Sequence, residues 1–299
     1  MVKPMRGYAP IIPTPFTDDN QVDLPSLGRL IEYLVANGTQ GLSPTGGDSE
    51  ARHLTEDERK RSIDTVMAAN NGRIFVNVGC SATTTEESKR LCQYAQRAGA
   101  DGVFVMPPAN WGKSLQDPPA TDEEMTAHYD AICDGLDIPM MIHAVAAMDV
   151  PWLNMLMDRI PMVTYIKEET TFAPKLRKYA RELGHRATVF GPGLHFPAEL
   201  EWGAMGVMPS CCAAYSHARV FDLWQAGFHQ EARATWIHML PLVFWRWRTS
   251  SQEAGKMFLM HEGVFKTRYT RPNHPKLALE EADHTEMLAV LKTMGGPPW

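Results

Sequence analysis

Short apolar runs alternate with longer amphipathic stretches along the chain. Tyr8–Ile12 precedes Leu24–Ala36, Gly41–Ser43 precedes Glu56–Ala69, and Ile74–Val78 precedes Thr84–Ala98. The same beat continues with Gly102–Met106 and Asp122–Cys133, Pro139–His143 and Val150–Met157, and Val163–Lys167 and Lys175–Leu183. Thr188–Phe190 with Phe196–Trp202 and Gly206–Met208 with Ala218–Ala226 complete the series. Each pair predicts a strand followed by a helix. Thr55 before Glu56-Asp57-Glu58 and Thr84 before Glu86-Glu87 are helix-start signals, since a threonine hydroxyl caps the first turn and acidic residues suit its dipole. From about His229 to Met294 no strand pattern occurs, and additional helices are expected, broken by Arg271-Pro-Asn-His-Pro275.

About eight strand–helix units is the number that closes a parallel barrel, so the expected fold is α/β, a (β/α)8 TIM barrel at residues 1–228. A helical extension at 229–299 is expected to pack on it as part of one structural unit. The main alternative, an open doubly wound sheet binding a dinucleotide, should carry G-x-G-x-x-G after its first strand, and that turn is absent. In a barrel the chemistry belongs to the loops after the strands.

Composition narrows the functions. A net charge of −6 with scattered Lys and Arg argues against nucleic acid as a partner. Cys80, Cys92, Cys133, Cys211 and Cys212 are odd in number without C-x-x-C spacing, which fits reduced cytoplasmic thiols. Met1–Gly7 lacks an apolar signal core, and no window approaches the ~18 apolar residues of a membrane span. The stretch Met239–Trp247 is apolar but short and interrupted by Pro241 and Arg246, so a packed or subunit-contact helix is expected there. No metal-ligand spacing and no phosphate loop occurs, so neither a metal nor a nucleotide cofactor is expected.

Lys167 ends the sixth apolar run, and strand alternation puts it on the face of Val163 and Tyr165 at the barrel mouth. Desolvation there disfavours a charged amine, which suits attack on a ketone. Ordered blocks around it carry a resemblance. They are Ile11-Ile-Pro-Thr-Pro-Phe-Thr17, Leu34-Val-Ala-Asn-Gly-Thr39, Gly46-Gly-Asp-Ser-Glu50, Leu54-Thr-Glu-Asp-Glu-Arg59, Gly99-Ala-Asp-Gly102, Met106-Pro-Pro108, Ile138-Pro139 and Ile166-Lys-Glu168. In these the chain resembles the dihydrodipicolinate synthase / N-acetylneuraminate lyase family over nearly its whole length. The resemblance implies a homotetrameric lyase whose lysine, at the Lys167 position, forms a covalent imine with pyruvate or a related small 2-oxo acid, without a separate cofactor.

The chain also departs from that family. His143-Ala144 stands where the family has Tyr-Asn, Gly47 and Asp48 stand where it has two hydroxyls, Pro108-Ala109 replaces an aromatic pair, and Met148 replaces the synthases' arginine. Authentic dihydrodipicolinate synthase activity is therefore not expected. His143, an imidazole that titrates near neutrality, is the natural substitute proton carrier, the alternative being a packed histidine hydrogen-bonded to backbone. Alternation sends Glu169, but not Glu168, toward the lysine, and Glu169 and Ser49-Glu50 resemble the branch that dehydrates 2-keto-3-deoxy sugar acids. Glu169 either does acid–base chemistry or forms a salt bridge.

Gly47, Asp48, Ser49, Met208, Trp111 and His195 are candidate substrate contacts. Asp48 would repel a substrate carboxylate and is equally a cap for the next helix. Ser49 and the backbone N–H groups beside it suit a carboxylate. Glu50 is expected to order the loop. Trp111 lies in the long 108–119 segment, read as a lid or specificity loop, and either stacks on substrate or anchors the segment; His195 is either a ligand contact or an exposed loop histidine. The expected activity is aldol cleavage or dehydration of a 2-oxo acid. The competing expectation is an inactive barrel that binds or senses such acids.

Overall fold

The computed structural model describes residues 4–107, 121–145, 148–170, 173–249, 251–271 and 279–295. Eight parallel strands form the barrel wall: β1 (Gly7–Tyr8), β2 (Gly41–Leu42), β3 (Phe75–Gly79), β4 (Gly102–Val105), β5 (Met140–Ala144), β6 (Val163–Glu168), β7 (Thr188–Gly191) and β8 (Gly206–Val207). Their order, β1-β8-β7-β6-β5-β4-β3-β2, is that of a sheet rolled on itself. The Ser43 N–H donates to Pro10 O at 2.9 Å and the Ile12 N–H to Ser43 O at 3.0 Å, closing the seam beyond β1 and β2. The fold is therefore a TIM barrel.

The strand–helix beat reappears as α1 (Leu24–Ala36), α2 (Glu56–Asn70), α3 (Thr85–Arg97), α4 (Asp122–Cys133), α5 (Val150–Arg159), α6 (Ala173–Leu183), α7 (Phe196–Glu201) and α8 (Ala214–Gln225). Thr55 and Thr84 both complete reciprocal capping boxes, with Glu58 and Glu87, as their spacing predicts. Strands β1, β2, β4 and β8 are shorter than the apolar runs predict, β1 most of all. Pro10 and Pro13 lack the N–H that a ladder requires, so regular pairing in β1 stops at Tyr8, and Pro209 limits β8 in the same way. Helix α8 starts four residues before its predicted beginning, because Ala213 adopts a left-handed φ of 45° and offers no side-chain cap to read.

Beyond the barrel lie α9 (His229–Arg248), α10 (Ser251–His261) and α11 (Glu281–Thr293). Helix α9 runs through Pro241 and turns Trp236, Met239, Leu242 and Trp245 inward while Ile237, Phe244 and Trp247 stay exposed. Among the described residues no helix is long and apolar enough to cross a membrane. The barrel interior is filled by Met5, Ala9, Ile11, Phe75, Phe104, Met141, Tyr165, Phe190 and Met208, a packed floor rather than a pore. Side chains beyond that floor emerge at the carboxyl rim.

Candidate active site

Strands β5 and β6 pair in parallel, with His143 directly beside Lys167 and Ala144 beside Glu168. Tyr165 points into the packed lumen, so two residues later Lys167 does too, and Glu169 continues the same face just past the strand. Lys167 is 2% exposed and His143 8%. The Lys167 ammonium contacts Glu169 Oε2, and the His143 ring Nε2 lies 3.2 Å from that same oxygen. The edge of Phe104 approaches the imidazole, with ring centroids 6.0 Å apart. One carboxylate oxygen thus bridges an amine and an imidazole on an apolar bed.

The electrostatics follow from this crowding. Burial opposes ionisation of Glu169, but the Lys167 charge and the contacts from His143 and Lys167 outweigh it and hold the carboxyl at about 2. Burial, helped by the Lys167 charge, pushes His143 below its ordinary value against the pull of Glu169. At neutral pH the imidazole is therefore uncharged and able to accept a proton. The three groups can exchange protons over hydrogen-bond distances around a nucleophilic nitrogen.

The loop after β2 lies at the same rim, with Gly46 packed against the Phe104 ring that His143 also meets. Thr45 and Glu50 both take left-handed backbone, φ 57° and 56°, and bracket a tight turn. For the β-branched Thr45 this is a strained conformation, and its hydroxyl is tied to Gly79 O at 2.7 Å. A side chain at Gly46 would meet Ile11 and Phe104 at 2.8 Å, whereas a Cβ on Gly47 would face open space. The N–H groups of Gly47, Asp48 and Ser49 have no backbone acceptor among the described residues, an arrangement that suits an anion.

Other predicted residues fall elsewhere. The Ser49 hydroxyl is 1% exposed, donates to Ile12 O at 2.5 Å and accepts from the Gly46 N–H at 3.0 Å, so it braces the turn instead of facing the mouth. Asp48 caps no helix and pairs instead with Arg246 of α9, Nη2 to Oδ2 at 3.4 Å. Met208 lies in the apolar floor. His195 is exposed at the start of α7 and lines a recess with Glu168, on the opposite side of β6 from the Lys167 side chain. Trp111 and the whole predicted lid, residues 108–119, lie outside the described residues.

Three features have no local sequence signal. Glu50 is ion-paired with Lys256 of α10, both side chains fully buried, and Glu50 also accepts the Arg271 N–H at 2.8 Å. Glu50 thus orders the loop, as its position predicts, but through partners some 200 residues away. Glu168, behind the lysine, is buried and accepts from Thr170 N at 2.8 Å. Glu199 is 1% exposed, and burial pushes its carboxyl up to about 7 despite N–H bonds from His195 and Gly193. A carboxyl this size fits because Gly191 opposite has no side chain.

An α/β barrel with titratable groups gathered at its carboxyl rim defines a barrel enzyme. The chain belongs to the Dihydrodipicolinate synthetase family, whose model matches residues 4–294. It is 30% identical to L-2-keto-3-deoxyarabonate dehydratase of Azospirillum brasilense over 97% of this chain and 94% of that one. It is 28% identical to 4-hydroxy-tetrahydrodipicolinate synthase of Pelobacter propionicus, over 97% and 99% respectively. Among solved structures, YagE, a prophage protein of E. coli K12 in complex with pyruvate, superimposes with a TM-score of 0.86 at 22% identity, covering 97% of this chain and 98% of that one. The chain is a lyase of this family.

Proposed function

We propose that Lys167 condenses with a small 2-oxo acid and that the enzyme eliminates or cleaves next to the resulting imine, with 2-keto-3-deoxy sugar acids as the favoured substrates. The observation that carries this is Glu169 bridging Lys167 and His143 through one oxygen. In this reading Lys167 gives up a proton to Glu169, its amine attacks C2, and water leaves. His143 or Glu169 then takes a C3 proton to form the enamine, whose electron pair expels the C4 hydroxyl, protonated as it leaves as water. Loss of an aldehyde by C3–C4 cleavage would use the same first half, with the base acting on the C4 hydroxyl proton.

The proton affinity of Glu169 follows the charge on the nitrogen beside it. While that nitrogen is cationic the carboxylate is a weak base, and when the enamine forms the depressing charge disappears. Acid and base roles therefore alternate with the state of the substrate. Kinship with the Azospirillum dehydratase supports elimination over cleavage. The exposed apolar stripe of Ile237, Leu240, Phe244 and Trp247 on α9 supports self-association, proposed as a homotetramer working in the cytoplasm.

Borohydride reduction in the presence of pyruvate and a panel of 2-keto-3-deoxy sugar acids, followed by intact mass and peptide mapping, tests the proposal. A reduced adduct on Lys167, lighter by one water with a sugar acid that is dehydrated, is the expected result. Absence of any adduct from folded protein would overturn it.

A further inference from the structure

A narrow recess with about 10 Å³ of free space, room for a single oxygen atom, opens beside the β2 loop, lined by Ile11, Asp48, Ser210, Arg246, Gln252 and Gly255. Ile11 also belongs to the lining of the barrel interior, and its side chain lies beside Gly46 together with the Phe104 ring that approaches His143. The recess therefore adjoins the β2 loop at the carboxyl rim, the rim from which His143 and Lys167 emerge. Helices α9 and α10 supply its far wall.

Two polar atoms there are buried and without a hydrogen-bond partner among the described residues: Arg246 Nε, a donor, and Gln252 Oε1, an acceptor. Gln252 is 8% exposed, and its amide nitrogen is already committed to Gly47 O at 3.3 Å, which fixes the oxygen's direction. Leaving such atoms unsatisfied is costly, and native structures usually do so where a ligand or water completes the set. Gly255 keeps the space open in the middle of α10, where glycine weakens a helix relative to alanine. A Cβ at this position would sit 3.3 Å from Arg246 Nε.

We infer that Arg246 and Gln252 form a subsite for a hydroxyl group at the far end of the substrate, an inference that rests on the proposed 2-oxo acid lyase reading. A hydroxyl satisfies both orphans at once, accepting from Nε and donating to Oε1. A second carboxylate does not fit, because Asp48 already occupies the other side of the guanidinium and would repel it. The subsite selects sugar acids ending in an alcohol over diacids and over deoxygenated chain ends.

The test compares kcat/KM for a 2-keto-3-deoxy sugar acid ending in CH2OH with its terminally deoxygenated and terminally oxidised analogues. It uses wild type, Gln252→Leu and Gly255→Ala, with borohydride trapping of pyruvate run on the wild-type enzyme alongside. Wild type is expected to favour the alcohol over the deoxygenated analogue by roughly 10- to 100-fold, the range of a buried hydrogen bond lost on one side. Both variants should bring that ratio to within about 3-fold of one. A wild-type ratio near one with normal pyruvate trapping overturns the subsite alone, as does an unchanged ratio in both variants. No trapped adduct in wild type overturns the lyase reading and the subsite with it. Gly255→Ala, which favours the helix, keeps the test decisive where Gln252→Leu fails to fold.

Discussion

Replacing Glu169 by Gln keeps the shape of the side chain and removes its charge and its capacity to take a proton. The drop of the carboxyl from its ordinary 4.5 to about 2 corresponds to roughly 3 kcal/mol favouring the anion, supplied chiefly by Lys167 against the cost of burial. That coupling should disappear at neutral pH, lowering the melting temperature by several degrees. The sign can be checked separately: a depressed carboxyl stabilises the fold above about 4.5 and loses that contribution as pH falls toward about 2, so the variant should lack this acid-side decline. For catalysis, loss of a positioned acid–base group should reduce kcat by roughly 10²- to 10⁴-fold. Lys167 can still pass its proton to His143 or to water, so the adduct should form more slowly and then stall. Borohydride quenching in single turnover with intact-mass readout would then find the unprocessed substrate mass in the variant, where wild type carries the dehydrated one. A kcat within 3-fold of wild type would refute the assignment of Glu169 to proton transfer.

His143→Gln should reduce turnover by about 10²-fold or more and abolish the acid-side fall in kcat/KM, which in wild type should lie below the ordinary histidine range because burial and the Lys167 charge keep the imidazole neutral; a retained acidic limb would assign it to another group. Glu199, held at about 7 by burial, contributes stability that is fully present below about 4.5 and lost as pH rises through about 7, roughly 3 kcal/mol in all. Urea unfolding across that window should show the decline in wild type, and Glu199→Gln should remove this contribution. Lys256→Met should cost about 3–5 kcal/mol, because it strands a buried carboxylate, and adding Glu50→Gln should recover part of that loss; a single-variant loss under about 1 kcal/mol would show that the pair is not buried in solution.

The lysine was legible because strand alternation is local: once Val163–Lys167 is a strand, the facing of Tyr165, Lys167 and Glu169 follows. The eight-unit count was legible for the same reason. Strand ends were less so, since prolines at positions 10, 13 and 209 look apolar in a hydropathy pattern yet cannot donate to a ladder. The directions of Ser49 and His195 were not legible, because residue type predicts which bonds a side chain can make, not which way it points; His195 takes the exposed one of its two expected settings. In the structure Ser49 is turned inward by Ile12 O, and the backbone N–H of His195 is held by Glu199. Arg246, read only as a break in an apolar stretch, reaches Asp48 because α9 folds back across the barrel mouth, a contact spanning 198 positions that no window detects.

The strained turn after β2 explains why the chain continues beyond its eighth unit. Left-handed conformations at Thr45 and Glu50 cost energy that an isolated loop would release by relaxing. Here the turn is held from the barrel side by Gly79 O and Ile12 O, and from the other side by α10, through Lys256 on Glu50 and Gln252 on Gly47 O. The Lys256 ammonium and the Arg271 guanidinium both lie over Phe16, at 4.4 and 4.5 Å from the ring centre, which anchors the same clamp to the segment after β1. Loosening α10 would therefore release the turn that carries the backbone N–H groups of Gly47, Asp48 and Ser49. On this argument the C-terminal helices are part of the site, and truncating them should abolish imine formation even where the barrel itself survives.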